Sequence, residues 1–470
     1  MPDNSTSSGG SPLSTVGLQE TEAQRKKTLH KAIAASAMGN FTEWFDYGVY
    51  AATTAYLTQA FFPGTLGTLG TLLGFAVSFA LRPLGGFIWG PLGDRLGRKA
   101  VLATTILLMA ASTALIGVLP THAQVGVLAP VLLIALRVVQ GFSTGGEYGG
   151  AATFMAEYSP DKRRGHYGSF LEFGTMCGFA GGTAFVLLLQ HLLTRDEMYS
   201  WGWRIPFFVA IPLGLVGWYL RNQLDDTPVF EEMVEEEADQ GSAWQRFTQL
   251  LREYKRPIMI MFALVIALNV ANYTLLAYMP TYLHSTIGLT ESDSTTLMLI
   301  GQVLMALCIP FFGSLSDRTG RKPMWWLSLT GLFVMAIPMF WLMGQGFGWA
   351  ILGFVVLGLL YIPQLSTISA TFPAMFPTQV RYAGFAISYN VATAAFGGTA
   401  PLVNDAVVES SGWNMFPAVY MMAACAIGLV ALPFLQETKG CSIRGTEVPG
   451  PDTDATRLAQ IEEARLAKAR

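Results

Sequence analysis

The stretch GPLGDRLGRK (90–99) returns as GSLSDRTGRK (313–322), both of the form G-x3-D-R-x-G-R-K. Each copy joins two long apolar runs. Each therefore reads as a tight basic connection between consecutive helices, with glycine supplying the backbone freedom of a short turn. Outward from these copies, other pairs line up. YSPDKRRGHYG (158–168) and MFPTQVRYAG (375–384) hold equivalent places two helices later, and LDDTP (224–228) and LQETK (435–439) close the two repeats. These correspondences describe a duplicated unit of six helices. Units of this kind place a substrate near the membrane midplane, between halves that rock around it.

Composition says which solvent the helices face. The 470 residues are 52% hydrophobic and 13% charged, with a mean hydropathy of +0.41. Soluble domains carry roughly 25% charged residues, so this is a polytopic membrane protein. At about 20 residues per span, the apolar runs divide into helices near 31–59, 68–92, 100–119, 124–157, 164–191, 203–221, 257–283, 296–315, 323–343, 348–375, 382–408 and 414–435. The expected fold class is all-α, with twelve transmembrane helices in two pseudo-symmetric six-helix halves. Residues 31–221 and 257–435 form the two bundles and the charged stretch 222–256 the central loop. Residues 1–30 read as a disordered N-terminus without the apolar core of a signal peptide, and 436–470 as a tail. Within the tail, TRLAQIEEARLAKAR (456–470) spans about two heptads, short of a sustained coiled coil.

Lys and Arg orient the array. Lys31, Arg95, Lys99, Lys162, Arg164, Arg252, Lys255, Arg318 and Lys322 fall on one side of a twelve-span chain, and Arg195 and Arg204 on the other. Both termini are therefore expected on the cytoplasmic side of a bacterial plasma membrane. Cys177, Cys308, Cys425 and Cys441 have no disulfide or metal spacing and read as small apolar fillers. The five histidines lie at helix ends or in loops, which disfavours a histidine relay. There is no nucleotide-binding G-x4-G-K-[ST], no nucleophile elbow and no metal cluster. The expectation is a carrier rather than an enzyme, with no catalytic residues, cofactor, metal or nucleic-acid partner. A monomer among membrane lipids is expected.

Charges inside apolar helices are expensive and mark function by default. GNFTEWFDYGVY (39–50) carries Glu43 and Asp46 on one helical face, amid Trp44, Phe45, Tyr47 and Tyr50. At 1.5 Å per residue, Glu43 and Arg82 lie roughly 18 Å deep, Glu147 roughly 15 Å and Glu172 roughly 12 Å. Arg137 lies on the fourth helix. Four acids face two arginines, so one acid is expected to be protonated in some state, as a proton-coupled carrier requires. The plain alternative is ion pairing that only holds the first half together. In the second half, Asn269, Asn272 and Tyr273 replace the acids, and no comparable charge is expected there. Gln302, Tyr361, Gln364, Tyr389 and Asn390 add neutral hydrogen-bonding points, for substrate or for neighbouring helices. In the doubled loop, Gly90, Asp94, Arg95 and Arg98, with Gly313, Asp317, Arg318 and Arg321, are the expected gating residues. The aspartates would pair with arginines or cap a helix. A membrane-side anchor without a gating role is the bland reading.

With RVVQGFSTGGEYGG (137–150), the doubled loop resembles the major facilitator superfamily. GNFTEWFDYGVY, ALRPLGG (80–86), GGEYGGAATFMAEYSPDKRRG (145–165) and WGWRIPF (201–207) look like its metabolite–proton symporter family. SFLEFGTMCGF (169–179), NVANYTLLAYMPTYL (269–283) and PAMFPTQVRYAGFAISYN (373–390) are similar to the osmoprotectant branch, which carries proline and glycine betaine. The likeness spans roughly 30–438. It implies proton symport by alternating access, with Glu43, Asp46, Glu147 and Glu172 serving the proton or the solute's cationic group. Arg82 and Arg137 would pair with these acids or bind a carboxylate, and aromatics near Asp46 would hold a quaternary ammonium by cation–π contact. The near alternative is a symporter of dicarboxylates or other organic anions, which would call for a positive cavity where this chain has excess acid. A non-transporting membrane sensor is the alternative of another class.

Overall fold

The computed structural model describes residues 22–64, 67–96, 98–145, 147–222, 252–377, 380–443 and 448–450. The side chains at 90–102 and of Glu147 lie outside this description, as do most of the central loop and the tail beyond 450.

Among the described residues, twelve helical rods follow one another. They are α1 (Glu22–Ala52, continued by Thr54–Phe61), α2 (Gly67–Ala80 and Arg82–Leu96), α3 (Arg98–Val118) and α4 (Leu128–Thr144 and Glu147–Tyr158). The first half ends with α5 (Arg164–Leu192) and α6 (Ile205–Phe208 and Ala210–Asn222). The second half has α7 (Lys255–Tyr273, continued to Thr286), α8 (Glu291–Thr319), α9 (Arg321–Met343) and α10 (Phe347–Leu365). It closes with α11 (Arg381–Ala392, then Thr399–Ser411) and α12 (Phe416–Ala431). α1 starts at Glu22, inside the stretch read as a disordered N-terminus.

Nine of the described spans are each long and apolar enough to cross a membrane. The three others have visible reasons. α1 is diluted by its own carboxylates, α6 is interrupted at Val209, and in α3 only Ala103–Val118 falls among the described side chains.

The site is framed by a few close crossings. α1 packs along α5, α2 along α4 and α7 along α11. The halves meet where α5 crosses α8 and where α2 crosses α11. Small residues make these approaches possible, as membrane helices require. A Cβ on Gly178 of α5 would lie 2.6 Å from the Phe41 carbonyl oxygen of α1. At the α5/α8 crossing, a Cβ on Gly313 would lie 2.5 Å from Ser169 Oγ. Gly313 was expected in the turn of the repeated motif, but it sits inside α8 and serves this approach. Gly320, with φ +109°, makes the turn into α9.

Candidate functional site

α1 delivers Glu43 and Asp46 to the centre of the first half, where each is buried against an arginine. Arg82 Nη2 donates to Glu43 Oε1 at 2.9 Å and to Tyr47 OH at 2.7 Å. Arg137 Nη1 lies 3.0 Å from Asp46 Oδ2. Arg137 also donates to Gln140 Oε1, the Gly74 carbonyl and Ser78 Oγ. Gln140 in turn donates to Asp46 Oδ1 at 3.3 Å and to Thr113 Oγ1 at 2.6 Å. The expected meeting of acids and arginines thus occurs, and the partners are specific.

Glu172 of α5 differs. Its Oε1 accepts from Tyr148 OH at 2.5 Å, and among the described residues it forms no ion pair. It is close enough to Glu43 for the two charges to interact. Tyr148 stacks on Tyr389 of the opposite half, with centroids 4.6 Å apart. Glu147 heads the second segment of α4, and its side chain is outside the description.

Between the halves stands an aromatic wall. Trp44, Tyr47, Phe75 and Phe79 come from the first half and Tyr273 from the second. Tyr273 lies 6.3 Å from Trp44, 5.9 Å from Phe75 and 5.0 Å from Phe79. The Arg82 guanidinium covers Phe79 at 4.4 Å and that of Arg137 covers Tyr50 at 4.3 Å. The Tyr50 hydroxyl donates to the Thr71 carbonyl. Tyr50 and Arg137, both expected to contact substrate, therefore have their polar atoms committed to protein partners here.

The neutral residues of the second half converge on the same layer. Asn269 Nδ2 donates to Thr393 Oγ1 at 3.0 Å, and Tyr361 OH to Asn272 Oδ1 at 2.9 Å. Buried without a protein hydrogen-bond partner are Trp44 Nε1, Tyr273 OH, Gln302 Oε1 and both amide atoms of Gln364. Buried polar atoms are nearly always partnered, so these orphaned atoms stand out as candidates to bond a polar solute. Asn390 lies away from it and donates to the Gly145 carbonyl at 3.1 Å, across the two halves.

One expectation needs correction. The second half does contain a buried acid, Asp405 of α11, which is 8% exposed and interacts electrostatically with Tyr278 and Glu409. Its signal in the sequence was NDAVVE (404–409), an acid pair one turn apart at the end of an apolar run. Gln140, Ser78, Thr113 and Tyr148 were also missed. Only Gln140, three residues after Arg137, and Tyr148, adjacent to Glu147, had a local clue.

Contacts between the halves lie at both ends of the layer. At the end bearing most of the arginines, Asp317 accepts from the backbone N–H of Gly165 (2.8 Å) and of His166 (2.9 Å), capping α5 of the opposite half. Arg321 Nη2 donates to Asp317 Oδ1 at 2.7 Å. The carboxylate thus meets both the helix dipole and a cation. Arg381 Nη1 reaches Glu157 Oε1 at 2.9 Å, again between halves. The first-half copy, Gly90, Asp94, Arg95 and Arg98, lies outside the described side chains. At the opposite end, Glu291 Oε1 accepts from Tyr199 OH at 2.8 Å and from Arg195 Nη2 at 3.1 Å.

The profile of the Major Facilitator Superfamily matches residues 36–402. The chain belongs to that superfamily. It is 40% identical over 437 residues to the "Ectoine/proline transporter ProP" of Corynebacterium glutamicum, covering 89% of this chain and 86% of that protein. It is also 40% identical over 452 residues to a "Putative proline/betaine transporter" of Staphylococcus haemolyticus, covering 94% and 95%. A third relative, at 39% over 447 residues (92% and 88%), is the "Glycine betaine/proline/ectoine/pipecolic acid transporter OusA" of Dickeya dadantii. Among solved structures, a D-xylose–proton symporter superposes with a TM-score of 0.68 at 20% identity, covering 89% of this chain and 99% of that one. The major facilitator fold, two bundles of six membrane helices, is thereby established, and this is a multi-pass membrane protein.

Proposed function

We propose that this major facilitator protein is a secondary active symporter of zwitterionic osmoprotectants with H⁺, working by alternating access in the plasma membrane with both termini cytoplasmic. Proline and glycine betaine are the first candidate solutes and ectoine the next. The observation that carries the reading is the central layer, where an aromatic wall from both halves adjoins acids on one side and Arg82 on the other. Such a layer suits a small solute with both charges. The aromatic faces attract its ammonium group, and a guanidinium takes its carboxylate in charge-assisted hydrogen bonds. The names of the relatives point the same way.

Coupling follows from the Glu43–Arg82 pair. A proton on Glu43 removes the counter-ion of Arg82, and a buried cation without a partner is costly. The solute's carboxylate then replaces it, so proton and solute are best accommodated together. Glu172, which has no arginine, is the second acid that a proton can neutralise, and Glu147 and Asp46 belong to the same acidic side. Trp44, Tyr273, Asn269, Asn272, Gln302, Tyr361, Gln364 and Tyr389 line the solute site. Arg137 orients Asp46. Asn390 and the two G-x3-D-R-x-G-R-K loops gate the arginine-rich end.

The deciding measurement is uptake of labelled proline, glycine betaine and 2-oxoglutarate into proteoliposomes, with and without an imposed proton gradient. Gradient-driven accumulation of the first two is expected. Uptake of 2-oxoglutarate alone would overturn the osmoprotectant reading, and exchange indifferent to the gradient would overturn the symport.

A further inference from the structure

Arg164 opens α5 and Arg381 opens α11, at matching places in the two repeats. Their side chains repeat the same geometry. Each Nε donates to the carbonyl eight residues earlier, Arg164 to Ala156 at 3.3 Å and Arg381 to Pro373 at 3.0 Å. Each then turns another nitrogen onto the segment that follows α12. Arg164 Nη1 donates to the Cys441 carbonyl at 3.0 Å, and Arg381 Nη2 donates to the Ile443 carbonyl. Ile443 is buried in an apolar cluster of its own, between Ala156 of the first half and Ala374 of the second.

Just before this, the segment is fastened to the second half. Glu437 caps α9, accepting from the backbone N–H of Arg321 at 2.9 Å and of Lys322 at 3.0 Å. Lys439 Nζ donates to the Arg318 carbonyl at 2.5 Å.

We propose that residues 440–443 are a bolt across the seam between the halves at their arginine-rich end. The symmetry-related pair Arg164/Arg381 holds the bolt, and the bolt leaves the first half whenever that end opens. Two residues of extended chain reach about 7 Å at most. Carbonyls that close together cannot stay bonded to two arginines that separate with their helices. The bolt also hides apolar surface from both halves at once, so it stabilises only the state in which they touch. This inference rests on alternating access and adds a self-contact that sets how readily the arginine-rich end opens.

The test uses the full chain with Cys441 as sole cysteine (Cys177→Ala, Cys308→Ala, Cys425→Ala), labelled by a membrane-permeant maleimide. Cys441 is 4% exposed, so slow labelling is expected. Arg164→Gln, which removes one arm of the clamp, and Asp317→Asn, which loosens the seam, should each speed labelling about tenfold by shifting population to the released state. Equal labelling rates in all three proteins would overturn the proposal. This readout needs no solute, so it stands apart from the transport reading. A second arm uses Ala156→Cys/Ile443→Cys with Cys441 also replaced. Oxidation should join the two sites and stop proline uptake, and a reductant should restore it. Continued uptake by the cross-linked protein would overturn the bolt. Absence of uptake before oxidation would count against proline as solute, with the bolt then judged on labelling.

Discussion

α1 and α7 begin the two repeats, and they meet the cost of buried polarity in opposite ways. α1 brings Glu43 and Asp46 and closes each with an arginine. α7 brings Asn269 and Asn272 and closes them with a threonine and a tyrosine. Removing one partner of a buried ion pair leaves a stranded charge, whereas a neutral hydrogen bond contributes only about 0.5–1.5 kcal/mol net. The acids of α1 are therefore strongly tied to their arginines, and on the proposed reading they answer to a proton. On the proposed reading, the neutral amides of α7 exchange their bonds for those of a solute. Backbone geometry follows the same division. Among the described residues, π-helical turns occur only in the second half, at Thr274–Tyr278 and Tyr282–Thr286 in α7 and Thr393–Gly397 in α11. Such turns often accompany functional sites in membrane and soluble helices alike.

The contrast can be broken most directly through transport. Glu43→Gln and Asp46→Asn keep the shape and most hydrogen bonds but lose the carboxylate. Each should abolish gradient-driven accumulation in the protein that reaches the membrane, with a lower unfolding midpoint because an arginine loses its counter-ion. If both still concentrated solute, the acids would have only a structural role. On stability the largest effect is expected from Arg82→Leu, which leaves Glu43 buried without a cation and should cost about 3–5 kcal/mol. Thermal unfolding in detergent reads this, and adding Glu43→Gln to the same protein should recover most of the loss.

Smaller effects separate the halves further. Gly178→Ala drives a methyl into the Phe41 carbonyl and should cost about 1–3 kcal/mol. Gly397→Ala meets side chains rather than backbone, the Tyr273 ring at 2.7 Å and Asn269 Oδ1 at 3.2 Å, so its fall in unfolding midpoint should be the lesser. Asn272→Ala removes one neutral hydrogen bond, and a roughly fivefold rise in the KM for uptake is expected from about 1 kcal/mol. The smallest effect belongs to Arg195→Gln, whose side chain is 73% exposed. A change within about 1 kcal/mol is expected there.

The sequence by itself determined the twelve-helix duplicated architecture, because a run of apolar residues long enough to span a bilayer has few other fates. It also marked Glu43, Asp46, Arg82, Arg137 and Glu172, because charge in such a run stands out. Tertiary structure alone decided the pairings. Glu43 finds Arg82 across 39 residues of chain and Asp46 finds Arg137 across 91. Asp317 caps a helix of the other half, and the segment after α12 lies between Arg164 and Arg381. Each of these contacts depends on how helices rotate and cross. Close-packed glycine seams set that rotation, and hydropathy along one chain carries no record of it.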